Sequence, residues 1–434
     1  MAEYLTVSFE NAVTSRVLIV SEMNMRGSGY TRIVSQLGLQ LVKSGKKVTV
    51  LGLSYREEEH DYPFNIIPLR RLSDVLPMIF NLSRGGAPIE AVVIALDIPM
   101  QLKIIEEINR AGGLKDTKTI GIFPVEAEPV CVSWATNLHA LDERLVMSKF
   151  GKQELAAYNI ESDFIPVAID DGTSLWNART KEDYQRTRKG LGIDDDTFVV
   201  LTVADNQERK HLAGAIEIFS RFSVDVIERN EIGFATETKE KRKAEMHLVT
   251  RVQSPVGYDL QDLGMRHGVI SNVKLYERGI TPIQLRQLFL AADAFMLTSK
   301  AEGLAIPMLE AMRIGVPCVV TNCTALAEHA GTTIKNDGIW SAIDEVNALL
   351  IQPQIVLTDP FGNGNRAIVS TESGEQKLVA LYDAIRDDKE WVTQMVESAY
   401  EYVTNRTWED AGRILLEKIK KDSIDGTQVE EGDE

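Results

Sequence analysis

The strongest constraint on this chain is an alternation of short apolar runs with amphipathic helical patterns that persists through both halves of its 434 residues. Runs such as Val17-Leu18-Ile19-Val20, Val48-Thr49-Val50-Leu51 and Phe198-Val199-Val200-Leu201 read as buried strands, and the stretches between such runs read as helices. Strand and helix in turn dictate parallel sheets covered by helices on both faces. The length exceeds one ordinary core and suits two domains of nearly equal size. Open sheets of this kind take their ligands beyond the carboxyl ends of the strands, so the loops at those ends are where function is sought.

The first domain is read over residues 14–172, with strands near Val17, Val48, Val92, Ile120, Leu145 and Phe164 and helices over 31–44 and 101–111. Asp170-Asp171-Gly172 and the polar stretch to Asn177 break the pattern and form the expected hinge. The second domain is read over 190–390, with strands from Phe198 and over 246–250, 273–276 and 294–297, and helices over 211–219, 260–267 and 282–292. Residues 331–371 contain Gly362-Asn363-Gly364-Asn365 and little periodicity, and are read as an irregular excursion. Helices resume over 375–387 and 390–404; residues 391–421 form carboxyl-terminal helices, and the acidic 422–434 is read as a disordered tail.

Three loops at strand ends carry residues with chemistry. The stretch from Ser299 to Met312 sets Glu302 and Glu310 around a loop that leads into a helix, with Pro307 suited to the first turn and Glu310 expected in it. The N–H groups of Gly303, Leu304 and Ala305 are expected to point out of the helix amino terminus, where an anion such as a diphosphate is favoured. Carboxylates beside such a site suit the hydroxyl groups of a sugar and a ribose, since an ionised carboxylate only accepts hydrogen bonds. After the strand from Phe198, the loop Asp205 to Lys210 places Arg209 and Lys210 where they could neutralise a leaving diphosphate; solvated surface charges are the alternative. In the first half, Arg26-Gly27-Ser28-Gly29 follows a strand, and glycines there allow close backbone approach to a ligand. A dinucleotide fingerprint fails because Arg32 stands where the third glycine belongs and the strand over 48–53 lacks a terminal acid.

The string from Glu302 to Glu328 resembles the signature EGxxxPxxEAMxxGxPVVxxxxxxxxE of the family-4 retaining glycosyltransferases, including Gly315, Pro317 and the strand from Cys318 to Thr321. That resemblance implies an α/β fold of two facing Rossmann-like doubly wound domains (GT-B) with the active site in the cleft between them. It implies that Glu302 contacts the transferred sugar, that Gly303, Leu304, Ala305 and Ile306 supply backbone donors to sugar and phosphate, and that Glu310 holds the ribose diol. Asp205 to Lys210 resembles the family's ARNQxRKN loop, with Arg209 and Lys210 at its final pair as phosphate ligands and Asp205 departing from an arginine. By the same resemblance Arg26, Gly27, Ser28 and Gly29 face the sugar and the acceptor. Segments 124–129 and 148–151 resemble PVDxxP and SxFG, which puts Glu126 in the place of the acid; a histidine common near this segment in relatives is absent. Thr407-Trp408-Glu409-Asp410 resembles the opening of the family's last helix, which crosses back to the first domain. The implied activity is transfer of a sugar from a nucleotide-diphosphate donor to an unidentified acceptor, with retention of anomeric configuration and without a metal or further cofactor. A nucleotide-sugar epimerase and a catalytically silent binding or structural protein on the same scaffold are the alternatives.

Bulk properties narrow the partners. Lys plus Arg number 47 against 64 Asp plus Glu, a net charge of −17, which disfavours nucleic acid and anionic membranes as main partners. Cys131, Cys318 and Cys323 have no metal-ligand spacing and fit a reduced compartment without structural disulfides. Asp194-Asp195-Asp196 precedes its strand, so it reads as a turn and not as a metal site. With no apolar segment of membrane-spanning length and no signal-like amino terminus, the expected location is the cytoplasm; the oligomeric state is open.

Overall fold

The computed structural model describes residues 16–24, 28–84, 88–126, 128–170, 172–223, 226–229, 235–238, 242–250, 257–277, 280–336, 339–360 and 364–420. Arg26, Gly27, Asp171 and the 422–434 tail lie outside the described residues.

Two parallel sheets organise the chain. The first is built from β1 (Arg16–Glu22), β2 (Lys47–Leu53), β3 (Asn65–Leu69), β4 (Ile89–Ala95), β5 (Lys118–Phe123), β6 (Glu143–Val146) and β7 (Asp163–Phe164), in spatial order β3-β2-β1-β4-β5-β6-β7. Its helices are α1 (Gly29–Lys43), α2 (Val75–Arg84), α3 (Ile98–Arg110), α4 (Val132–Leu138) and α5 (Lys149–Ala156). β1 and β4 are buried on nearly every residue, as strands covered on both faces must be. After α6 (Lys181–Leu191), the second half contributes β8 (Phe198–Val203), α7 (Leu212–Ser223), the antiparallel pair β9 (Val226–Arg229) and β10 (Ala235–Thr238), then β11 (Ala244–Thr250), α8 (Leu260–Arg266) and β12 (Val273–Glu277). It continues with α9 (Pro282–Ala291), β13 (Ala294–Leu297), α10 (Ile306–Ile314), β14 (Cys318–Thr321) and α11 (Thr324–Ala330). The second parallel sheet has the order β12-β11-β8-β13-β14-β17.

The expected irregular excursion over 331–371 is instead largely ordered. It holds the antiparallel pair β15 (Thr333–Asn336) and β16 (Ile339–Ala342), the sheet strand β17 (Leu349–Ile351), and the antiparallel pair β18 (Pro353–Thr358) and β19 (Asn365–Val369). β18 has no buried residue, so no apolar alternation announces it in the sequence. β3 and α2 are further elements beyond those expected.

The chain closes with α12 (Thr371–Arg386), α13 (Glu390–Thr404) and α14 (Trp408–Ile419). Thr407 caps α14 by accepting from the Asp410 N–H. α14 lies back on α1 of the first lobe, where Gly412 permits the approach: a Cβ there would sit 2.5 Å from Cβ of Gln40. Lys418 adds ion pairs to Glu143 and Asp163 of that lobe at 3.2 and 2.7 Å. No helix among the described residues is long and apolar enough to cross a membrane.

Candidate active site between two switch points

In each parallel sheet the strand order reverses about one central strand. The second strand of the first sheet lies on one side of β1 and β4 on the other; in the second sheet β11 and β13 flank β8. The crevice beyond the carboxyl ends at such a reversal is where open α/β sheets take ligands. The loops after β1, β4, β8 and β13 contribute Ser28, Asp97, Arg209 with Lys210, and Glu302 respectively.

Glu302 is the centre. Its Oε1 lies 2.6 Å from Lys210 Nζ and its Oε2 3.1 Å from Arg209 Nη1, and its side chain is only 4% exposed. Arg209 also reaches the other lobe, with Nη2 3.0 Å from Glu126 Oε1, and Nη1 donates to the Ala301 carbonyl at 2.7 Å. Burial alone would raise the Glu302 pKa, but Lys210 and Arg209 outweigh it and hold the carboxyl at about 2. Burial raises Glu126 above the usual carboxylate range, and its proximity to Glu302 and Asp97 works in the same direction against Arg209. Burial opposes charge on Arg209, yet Glu126 and Glu302 raise its pKa, so it is cationic throughout.

The backbone around Glu302 departs from ordinary conformations. Ala305, at the cap of α10, has φ 58°; Thr324 has φ 47°, and His211, just after Lys210, has φ 50°. Left-handed backbone is costly for residues with a Cβ, most of all a β-branched one, and such residues gather at functional sites. Two of the three, Thr324 and His211, are tied in place by side-chain hydrogen bonds. Thr324 Oγ1 accepts from the Glu302 N–H at 2.9 Å, and Thr298 Oγ1 donates to the His211 carbonyl at 2.9 Å.

The other expected site residues fall as follows. Gly303 packs against the first lobe, where a Cβ would lie 2.5 Å from Cβ of Pro124 and 3.0 Å from the Val125 N. Leu304, Ala305 and Ile306 lead into α10, and Ile306 touches Gly29 of the facing loop, where a Cβ would lie 2.9 Å from its Cδ1. Among the described residues, the N–H groups of 303–306 donate no protein hydrogen bond. Glu310 lies in the second turn of α10, not the first, because the helix begins at Ile306. Its Oε1 is 2.8 Å from Arg32 Nη1, an ion pair between the lobes, and Arg32 stacks over Trp176 at 4.6 Å. Ser28 caps α1, accepting from the Thr31 N–H at 3.1 Å. Asp194 and Asp196 both pair with Lys243 at 2.7 Å in the turn before β8.

A cavity of about 810 Å³ opens beside this cluster, walled by Asp97, Glu126 and Trp134 from the first lobe and by Arg209, Lys300 and Asp359 from the second. Its volume is that of an ordinary small-molecule site. The β18–β19 pair forms one wall and is fastened across the gap: the Asn365 N–H donates to the Glu128 carbonyl at 2.7 Å, and Arg366 Nη1 to the Glu126 carbonyl at 3.0 Å. Arg366 Nη2 also pairs with Asp359 at 3.0 Å, and Lys300 pairs with Glu208. Sequence reasoning missed Arg32, Arg366, Asp359 and Thr324. Only Thr324, inside the Glu302–Glu328 string, had a local signal. No cluster of three or more His, Cys, Asp or Glu suited to a metal ion occurs among the described residues, and all three cysteines are free thiols.

Residues 183–360 match the family Glycosyl transferases group 1. An uncharacterised glycosyltransferase of Methanocaldococcus jannaschii is 25% identical over 244 residues, 54% of this chain and 53% of that one, so the match spans about half the length of this curated relative. Among solved structures, sucrose-phosphate synthase from Thermosynechococcus elongatus superposes with a TM-score of 0.65 at 15% identity, covering 93% of this chain and 98% of that one. Anabaena HepE, solved in complex with UDP and glucose, gives 0.63 at 13% identity, covering 93% and 99%. At these identities the likeness shows the fold: two Rossmann-like domains in the GT-B arrangement.

Proposed function

With a glycosyl transferases group 1 domain over 183–360 as the premise, we propose that this protein transfers a sugar from a nucleoside diphosphate donor to a hydroxyl-bearing acceptor, with retention of anomeric configuration and no requirement for a metal ion. The observation that carries the reading is the convergence of Glu302, Arg209 and Lys210 with Glu126 at the facing strand ends, beside a cavity of ligand size. Breaking the bond between anomeric carbon and phosphate oxygen leaves negative charge on the diphosphate. Arg209, Lys210 and the amino terminus of α10 are the groups that stabilise it. In the structure the two cations are neutralised by Glu302 and Glu126, so the diphosphate takes the place of a carboxylate already bound there. Glu302 keeps its backbone tether to Thr324 and accepts from sugar hydroxyls. Glu310 is the candidate for the ribose diol, which it takes up on release from Arg32. Burial between the lobes limits hydrolysis of the donor.

A catalytically silent binding protein is the competing reading, favoured by Asp205, which departs from the arginine of the family loop that this segment resembles. Incubation with UDP-, ADP- and GDP-sugars, with chromatographic detection of the freed nucleotide and of glycosylated product, separates the two. UDP-sugars come first because the Anabaena structure holds UDP. Nucleotide release that depends on acceptor and is lost in Lys210→Ala supports transfer; tight nucleotide binding without turnover on any donor supports the silent reading.

A further inference from the structure

The loop carrying Gly303 to Ile306 is held from behind by a chain of buried polar groups. His329, in α11, is fully buried; its Nε2 lies 2.7 Å from the Leu304 carbonyl oxygen and its Nδ1 2.9 Å from the Tyr402 hydroxyl. A carbonyl only accepts, so Nε2 carries the proton and donates it, and Nδ1 accepts from Tyr402. Tyr402 Oη accepts in turn from Arg406 Nη2 at 2.5 Å, and the same Nη2 is 3.5 Å from Glu328 Oε1. Glu328 Oε2 accepts from the Phe150 N–H at 2.7 Å, at the amino terminus of α5 in the first lobe. Burial, and then Arg406, hold the imidazole neutral, at about 3, which keeps the single tautomer this chain needs.

The consequence lies in one peptide unit. In a planar trans peptide the C=O and the following N–H point in opposite directions. Fixing the Leu304 carbonyl toward His329 therefore fixes the Ala305 N–H away from it. Ala305 is the residue with φ 58° at the cap of α10, a conformation that persists only when its surroundings impose it. We propose that His329 is a positioning residue for donor binding: it aims the Ala305 N–H at the donor diphosphate, and through Tyr402, Arg406 and Glu328 it ties that aim to docking of the two lobes. This rests on the nucleoside diphosphate reading above.

The test is calorimetric. UDP, ADP and GDP are titrated into the wild-type protein, and the tightest serves as probe. His329→Phe is expected to weaken it at least tenfold, while the matching nucleoside without phosphates, measured by competition, changes less than twofold. His329→Gln, whose side-chain amide can donate to Leu304 and accept from Tyr402, is expected to recover affinity to within threefold of wild type. Glu328→Ala, added to His329→Phe, is expected to cost little more than His329→Phe alone. If His329→Phe does not fold, Tyr402→Phe removes only the hydroxyl and is expected to weaken the probe at least threefold. Unchanged affinity in the variant measured, a Gln variant as weak as the Phe variant, or equal losses for nucleoside and diphosphate would overturn the role of His329. Absence of binding by all three nucleotides to the wild type would remove the donor reading and this inference with it.

Discussion

At the residue scale the proposed chemistry rests on a buried carboxylate held between two cations. Glu302 ionises at about 2 instead of its ordinary 4.5. The folded state thus binds this proton more weakly than the unfolded chain does, so the stabilisation is complete above the ordinary value and is lost as pH falls toward 2. The amount at stake is on the order of 3 kcal/mol. Urea midpoints measured from pH 5 down to 2.5 should fall more steeply for the wild type than for Glu302→Gln; parallel curves would mean the carboxylate is not held by Lys210 and Arg209. A second residue-scale prediction concerns Gly303. Because a Cβ there would lie 2.5 Å from Pro124, Gly303→Ala should destabilise the fold by about 1–3 kcal/mol through overpacking, read as a lower melting temperature. The local string from Glu302 to Glu328 was legible because one loop and one helix carry it. The pairing of Arg209 with Glu126, and of Glu310 with Arg32, was not: each joins side chains from different lobes, and only tertiary packing brings them together.

At the scale of elements, the strands and helices that were read correctly are those with a buried face. β13 lies wholly inside the second sheet, and α13 presents Met395, Ala399 and Val403 to the core at helical spacing. The β18–β19 pair was lost to the reading because β18 exposes most of its residues and is held by its partner strand and by polar contacts, not by apolar periodicity. Those contacts make a prediction. Arg366 joins Asp359, just past the end of β18, to the Glu126 carbonyl of the first lobe. Arg366→Ala should cost about 1–3 kcal/mol, the loss of charged hydrogen bonds from a largely buried site. The double variant with Asp359→Asn should cost less than the sum of the two single changes, because one interaction is shared. Denaturation midpoints of the four proteins check this, and strict additivity would place the two side chains in separate roles.

At the scale of the molecule, two lobes meet with their strand-order reversals facing one another, and the last helix, α14, returns to the first lobe to hold them together. The two-sheet architecture was legible from alternation alone; the register of one lobe against the other was not, since it depends on ion pairs and close glycine contacts spread over the whole chain. Arg32 with Glu310 and Arg209 with Glu126 keep the cleft closed on its own charges. Arg32→Ala should loosen that closure, and small-angle scattering should report a larger radius of gyration for the variant than for the wild type, a difference that a saturating nucleotide reduces. An identical radius in both would mean that this pair does not restrain the lobes. The most direct measurement is the affinity of the closed cleft for a nucleoside diphosphate and its dependence on the basic pair. Titration of UDP, ADP and GDP into the wild type, Lys210→Ala and Arg209→Ala should show at least one nucleotide binding the wild type, and that binding weakened at least tenfold in each variant; binding by none of them, or equal affinity in all three proteins, would contradict a diphosphate held by Arg209 and Lys210 between the lobes.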